Sequence, residues 1–386
     1  YEEDTILVRR KLLAILLSTA CVLLAAGCGS VGSETAASTE EAGAAQEADA
    51  QDTEAAESAE TGASEGEETE ASEEQEAVQE EPDLKVISWY MDEEGVKSDE
   101  LGMMISKDNG IMDVTLNQHM MVWGDSRGTQ LNFTCSYYDG SLNNYIVQNP
   151  GYEKGTWGEY EYAYSEDENF SDFIEVAFVG NGVALEGSFS ISDLLEDESI
   201  DEYLTRANVQ GSDEFAQDCL AYLTEDGLYS PALGLSVTYN EDGTSEYGRN
   251  EIDSQSVRCS NYSLYSGDEI SRSLKISSDS YQNNTDYYGM GEAESAQEAL
   301  EIYVASCMEP SEYVTIEYTE LEGTVETTIA GHPYLGRGLS SRWKDDVSGS
   351  MDYEWLFCSD DIAWTIWIDT EEETYEPCLS VIETMP

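Results

Sequence analysis

Acids dominate the side chains that could do chemistry in this sequence. Its 386 residues include 82 Asp and Glu, against 16 Lys and Arg and two His. A Ser–His–Asp site needs a nucleophile, an imidazole and an orienting acid. Neither His119 nor His332 has a nucleophile-elbow sequence beside it, so both read as structural or surface residues. Paired carboxylates can hydrolyse glycosides, but that mechanism depends on a separation in space that spacing along a chain does not encode. "TYNEDGTSEYGRN" (238–250) and "SKDNGIMD" (106–113) begin like calcium loops and then lack the closing Glu. "AFVGNGVALEG" (177–187) has the glycines of a phosphate loop without its Lys or following helix. No metal and no cofactor is therefore expected, and the chain reads as a non-enzyme.

Thiols and aromatics are the remaining candidates. Beyond residue 28 lie six cysteines: Cys135, Cys219, Cys259, Cys307, Cys358 and Cys378. An even count permits disulfides, and Cys135–Cys219 is the candidate pair of the first half. The four in the second half leave three pairings open. No C-x-x-C spacing suggests zinc. Buried thiols acting as small hydrophobes are the favoured state. Of the 25 Tyr, Tyr160, Tyr162 and Tyr164 share one strand face and form a candidate surface patch for sugars or a protein partner. Trp355, Trp364 and Trp367 read as core.

The elements that position these residues begin with a leader. Arg9, Arg10 and Lys11 precede an apolar run from Leu12 to Ala26. That run is about 15 residues, short of the roughly 20 a membrane-spanning helix needs. A basic start, a short apolar segment and small residues at the end describe a secretory signal over 1–28. The end, Leu24-Ala25-Ala26-Gly27-Cys28, resembles the lipobox of bacterial lipoproteins. The resemblance implies cleavage between Gly27 and Cys28 and lipid attachment to the Cys28 sulfur. Ala25 stands where Leu is usual, and Val8 before "RRKLL" is the expected start codon. The implied location is the outer face of the cytoplasmic membrane, exposed at the cell surface, in a Gram-positive envelope.

Residues 29–83 hold 19 acids, no Lys or Arg and no aromatics. Such a segment cannot bury enough surface to offset its ordering entropy, and its self-repulsion extends it. It reads as a disordered acidic linker with a reach of at most about 180 Å at roughly 3.3 Å per residue. From Leu84 onward there remain 60 acids against 13 bases, a net of −47. That excludes nucleic acid as a partner, since its phosphates call for a basic footprint. It favours cationic partners.

The remaining chain reads as two copies of one domain, 84–225 and 226–386. Four collinear matches support this: 131–150 on 314–333, 86–107 on 257–278, 173–191 on 353–369, and 219–223 on 378–382. The second copy predicts strands at 235–239, 257–264 and 271–277, then a helix over 295–308 whose apolar positions recur at three and four. Strands follow at 313–321 and 324–329 around an expected Glu322-Gly323 turn, then at 335–343, 353–358 and 362–369, with a short helix near 378–384. In the first copy, Asn181-Gly182 is a hairpin signal. Met112, Leu116, Met120 and Trp123 suggest the counterpart helix, 192–212 a helical insertion, and Cys219 a final helix. The expected class is α+β, each domain an antiparallel sheet packed by one or two helices. This order of elements resembles PsbP-like domains, which implies binding or assembly rather than catalysis.

The sum is a surface lipoprotein acting as a binding or interaction module. Its partners would be the membrane, through Cys28, and a small molecule, glycan or protein. Two alternatives stand beside it. A solute-binding lipoprotein of a transporter would carry parallel sheets. A cell-wall hydrolase would carry a cleft with two carboxylates and a raised pKa.

Overall fold

Strand pairing across the middle of the chain organises this molecule. The computed structural model describes residues 87–385, except 111, 124–127, 166–172, 191–193, 195–197, 213–217, 240–248, 262–270, 279–289, 291–292, 310–315, 322, 344–350 and 363. The signal peptide, Gly27, Cys28 and the linker 29–83 lie outside the described residues.

The first half runs β1 (Trp89–Met91), β2 (Gly95–Ser98), β3 (Met103–Ser106), β4 (Asp113–Trp123), β5 (Gly128–Tyr137) and α1 (Leu142–Gln148). It continues with β6 (Glu153–Trp157), β7 (Tyr160–Ser165), β8 (Phe173–Gly180), β9 (Val183–Ser190), α2 (Ile200–Arg206) and β10 (Val209–Gly211). The second half runs β11 (Ala221–Thr224), β12 (Gly227–Ser230), β13 (Leu235–Thr238), β14 (Arg249–Asn261), β15 (Arg272–Ser277) and α3 (Ala296–Met308). Then come β16 (Ile316–Glu320), β17 (Val325–Ile329), β18 (His332–Trp343), β19 (Asp352–Cys358), β20 (Thr365–Thr370), α4 (Glu376–Leu379) and β21 (Ile382–Thr384).

An eight-stranded sheet has the order β10-β13-β12-β11-β1-β2-β3-β21. A thirteen-stranded sheet has the order β16-β18-β19-β20-β15-β14-β4-β5-β9-β8-β7-β6, with β17 also on β18. Each pairing is antiparallel, and with four described helices the fold lies in the α+β class. Both orders are palindromic in the two halves. β1 meets β11 with Tyr90 opposite Tyr222, and β4 meets β14 with Gln118 opposite Gln255. The last strand of each half is exchanged: β10 pairs with β13 and β21 with β3.

The two halves are therefore one body, which corrects the expected pair of separate domains. The expected boundary at 225/226 falls in the β11–β12 turn, where Thr224 pairs with Gly227. The repeat is real in element order but differently registered. Trp89–Ser106 lies on Ala221–Thr238 without a gap, with Tyr90/Tyr222, Glu93/Glu225, Gly95/Gly227, Ser98/Ser230, Leu101/Leu233 and Gly102/Gly234 identical. Of the four expected matches, only 173–191 on 353–369 joins counterparts, the hairpins β8–β9 and β19–β20.

Local chemistry explains the elements. In β4, Val114, Leu116, Met120 and Val122 alternate and are buried, so the expected helix there is a strand. A spacing of four, as in Met112, Leu116 and Met120, satisfies a period of 2 as well as a period near 3.6. Cys219 likewise precedes a strand, not a helix, and 382–384 is a strand after a four-residue helix. Ser141, Ser199 and Ser295 cap α1, α2 and α3 by accepting from the N–H three residues on. Asn181 (φ 49°) and Gly182 (φ 92°) make the tight β8–β9 turn. The expected Glu322-Gly323 hairpin is instead an interruption. β16 and β17 lie end to end along β18, and the chain reverses at Ala330 (φ 50°) and Gly331 (φ 90°).

The main core lies between the sheets and includes Trp89, Met91, Leu116, Phe133, Phe178, Phe357 and Ile366. Two smaller cores lie under the helices on the other face of the large sheet. One gathers Leu300, Tyr303, Leu339, Leu356 and Cys358 under α3; the other gathers Leu142, Tyr145, Ala163, Ala177 and Ala184 under α1.

A test of the register follows from Gly95 and Gly227. A Cβ at Gly95 would stand 2.2 Å from the Ile105 carbonyl oxygen, and one at Gly227 would stand 2.4 Å from that of Val237. Gly95→Ala and Gly227→Ala should each cost about 1–3 kcal/mol in chemical denaturation, the range for forced overpacking. A neutral effect at either site would contradict the repeat register.

Candidate functional site

The seam of the small sheet opens into a cleft of about 400 Å³ lined by Ser88, Tyr90, Asp92, Asp99, Glu100, Asp218 and Cys219. Strand β1 brings Ser88, Tyr90 and Asp92, the β2–β3 turn brings Asp99 and Glu100, and the segment before β11 brings Asp218 and Cys219. That last segment is fixed by the Leu220 N–H, which donates to the Met91 carbonyl at 2.9 Å. The cleft thus draws its walls from both halves.

Its carboxylates are held by short-range donors. The Tyr90 hydroxyl donates to Asp99 Oδ1 at 3.1 Å. Glu100 Oε2 accepts from the Ser88 N–H and the Ser98 hydroxyl at 3.4 and 3.2 Å. Lys97 Nζ reaches Asp92 Oδ2 and Glu94 Oε2, each at 2.7 Å. Burial opposes the ionised form of Asp92. Lys97 and the N–H groups of Glu94 and Gly95 outweigh it and hold that carboxyl below its ordinary range. Burial and the Asp99 carboxylate keep the Tyr90 hydroxyl protonated, its pKa raised. The cleft can accept hydrogen bonds and neutralise a cation.

Its one sulfur is a poor nucleophile. Burial, with Asp92 and Asp218, pushes the Cys219 thiol up to about 11. Burial, with Glu186 and Cys219, pushes Cys135 up to about 12. Both stand as free thiols rather than the candidate disulfide, Cys135 buried and Cys219 half-buried. A protonated thiol neither attacks nor ligates readily.

A second set of acids lies under the helices, in corresponding places. Under α1, the Tyr145 hydroxyl donates to Glu186 on β9, and the Tyr152 hydroxyl donates to Glu175 on β8 at 2.5 Å. Under α3, Tyr303 donates to Glu354 on β19 at 3.5 Å, and Glu354 stands directly opposite Asp369 on β20. Burial raises the Glu186 carboxyl, with Glu175 adding. Burial, with Asp369 and Asp352, raises Glu354 to about 8, and burial, with Asp352 and Glu371, raises Asp369 to about 6. These are the paired carboxylates of a hydrolase in type, but none of them lines the cleft. Helix docking over them is finely balanced. Leu300, Tyr303 and Val304 are the large side chains that α3 buries, worth about 1.5–3 kcal/mol each. A 13-residue helix is marginal in water by itself.

The other expected residues are placed as follows. Tyr160, Tyr162 and Tyr164 do share a face of β7, but it is the inner one. Tyr162 is 4 % exposed, and the other two pack against the same core, so they form no surface patch. Their hydroxyls donate to the Gly234 carbonyl, Asp201 and Glu153. His119 sits on β4 with Nδ1 2.7 Å from Asp253 Oδ2, and His332 Nε2 lies 3.2 Å from the Leu101 carbonyl oxygen. Trp355 and Trp364 are buried and Trp367 is partly so. Among the described residues no cluster of His, Cys, Asp and Glu is arranged to hold a metal ion.

Sequence reasoning missed Tyr90, Asp99 and Asp218, which only the seam brings together. It also missed Glu354 and Asp369. Their signal was a carboxylate set between large apolar residues, in "YEWLFC" and "IWIDT". No family model matches the chain, and no curated protein shows significant similarity to it.

Lys97→Gln tests the electrostatics of the cleft. At pH 7 it should cost about 1–3 kcal/mol, the range for a partly buried charged hydrogen bond. Asp92 has a depressed folded pKa, so its contribution exists above the unfolded value and fades as pH falls through the folded one. The gap between wild type and Lys97→Gln, measured by urea unfolding, should therefore close below about pH 4, near the ordinary Asp value.

Proposed function

We propose that this chain is a lipid-anchored surface protein that binds a cationic partner without catalysis. The cleft at the seam carries the proposal. It is lined by Asp92, Asp99, Glu100 and Asp218, with Tyr90 and Ser88 as neutral hydrogen-bonding groups. Lys97, the cation bound to Asp92, is already shared with Glu94. The net charge of −47 from Leu84 onward draws cations toward the cleft over distances of about a Debye length.

Anchoring would run through Cys28, with residues 29–83 as the tether. With 19 acids and no Lys or Arg, residues 29–83 would also repel nucleic acid and anionic polymers.

Two experiments test this reading. Cys28→Ser should move the protein from the detergent phase of an envelope extract to the culture medium. Unchanged partitioning would refute lipid anchoring. Thermal melting with spermine should raise the melting temperature, because a ligand of the folded state stabilises it by mass action. The shift should shrink in Asp99→Asn/Asp218→Asn and at high salt. A shift produced by neutral glycans but not by spermine would sink the cationic reading.

A further inference from the structure

The helix-facing side of the large sheet holds the same device twice, with one difference. In the first half two tyrosines serve two carboxylates: Tyr145 for Glu186 and Tyr152 for Glu175. In the second half Tyr303 serves Glu354, and among the described residues no tyrosine donates to Asp369 directly across the strand pair. The charges that act on this pair, Asp352 and Glu371, are acids too.

Among the described residues, neighbouring elements bring little compensation; β16, on which α3 also packs, brings Tyr318 to this core, and its Glu317 is bound to Arg342. From β15, Ser273 stands opposite Asp369 and Lys275 opposite Trp367; Lys275 acts on Asp253. From β18, Leu339 stands opposite Glu354, Ser341 opposite Asp352 and Arg337 opposite Leu356. Arg337 is itself bound to Glu320. From α3 the facing groups are Tyr303 and the apolar Ala299, Leu300 and Val304. Asp360 accepts from the Ala296 N–H at the start of α3. Trp367 packs edge-on to Tyr303, with ring centres 5.4 Å apart.

The core under α3 is separate from the core between the sheets. A unit with its own small core can open while the main one stays closed. We propose that ionisation of the Glu354–Asp369 pair frees α3 from the sheet while the inter-sheet core holds, making α3 a pH-operated flap. In the closed state protonated Glu354 accepts from Tyr303, with Asp369 beside it on the neighbouring strand. In the open state the carboxylates take water in place of the helix and leave Leu339, Leu356 and Cys358 uncovered.

The sign is fixed by the two acids. Each carboxyl is raised in the folded protein, Asp369 to about 6 and Glu354 to about 8. Docking is therefore favoured at low pH and weakened as pH rises through that interval, where the pair titrates as a unit. The first half, with a hydroxyl for each carboxylate, should stay closed over the same interval.

Cys358 supplies the reporter, since it is buried under α3, while Cys259 is buried between the sheets. The full chain in detergent is alkylated with iodoacetamide at pH 5.5 and pH 9, and labelling at each cysteine is read by peptide mass spectrometry. Thiolate content rises with pH in any chain, so Glu354→Gln/Asp369→Asn is compared at the same pH. At pH 9, Cys358 should be labelled at least about tenfold faster in wild type than in this variant, with Cys259 protected in both; tenfold corresponds to one decade in the opening equilibrium. Equal Cys358 rates would overturn the proposal, as would Cys259 labelling in step with Cys358. If the variant does not fold, wild type decides alone. Cys358 labelling must then outpace that of Cys259 as pH rises, and parallel behaviour refutes the flap.

Discussion

Everything in this fold depends on two antiparallel pairings at its middle, β1 with β11 and β4 with β14. The first is three residues long and centred on Tyr90 opposite Tyr222; the second spans most of β4 and contains Gln118 opposite Gln255. Both glutamines are buried, and they turn this constraint into sheet-to-sheet stitching. Gln118 Nε2 donates to the Val237 carbonyl at 3.2 Å, and Gln255 Nε2 donates to the Thr224 carbonyl and to Gln118 Oε1. A buried amide without partners would cost several kcal/mol in an apolar core. These amides have backbone carbonyls of the facing sheet within reach only if both pairings are in register. The seam therefore fixes the sheet stacking as well as the sheet order.

The end of the first half shows how packing and charge agree with that order. α2 is held by a buried Arg206–Glu198 pair, with Nη2 to Oε2 at 2.8 Å, and by Tyr203 stacked on Phe189 at 3.9 Å. Asn208, at φ 57°, then turns the chain so that β10 crosses to β13, and its side-chain amide donates to the Thr238 carbonyl. The left-handed conformation is one that Asn tolerates better than most residues. The crossing of β10 to β13 is thus written into one residue's backbone preference and a few polar contacts. The acidic cleft is a by-product of the same seam, since the β1–β11 pairing brings the segment before β11 beside β1 and the β2–β3 turn.

Much of the fold was legible where a residue had one physical meaning. Asn181-Gly182 could only be a tight turn, and Ser295 before a run of Ala299, Leu300, Tyr303 and Val304 could only start a helix. β4 was illegible because a spacing of four fits a strand as well as a helix, and Gln118 broke the alternation at the point where it serves the seam. The Ala330-Gly331 reversal hid behind an alanine, a residue that seldom adopts positive φ, while Gly323 offered a better-looking turn nearby. α1 was overlooked although Ser141 and Asn144 mark its start. The repeat itself was visible, yet its register was not. Strand halves of similar polarity align in several frames, and the glycine pairs Gly95/Gly227 and Gly102/Gly234 carry the true one. The cleft could not be read at all, because Tyr90, Asp99 and Asp218 are brought together by a pairing between halves.

The position of β1 has a mechanical consequence. Trp89–Met91 is an interior strand, hydrogen-bonded to β2 on one side and β11 on the other. An edge strand under tension can be peeled one bond at a time. An interior strand held on both flanks must be sheared, and its load passes at once into both halves. Tension applied at Trp89 would thus be shared by the whole eight-stranded sheet. Rupture would begin at the middle of that sheet, at the tyrosine pair, and not at its edge.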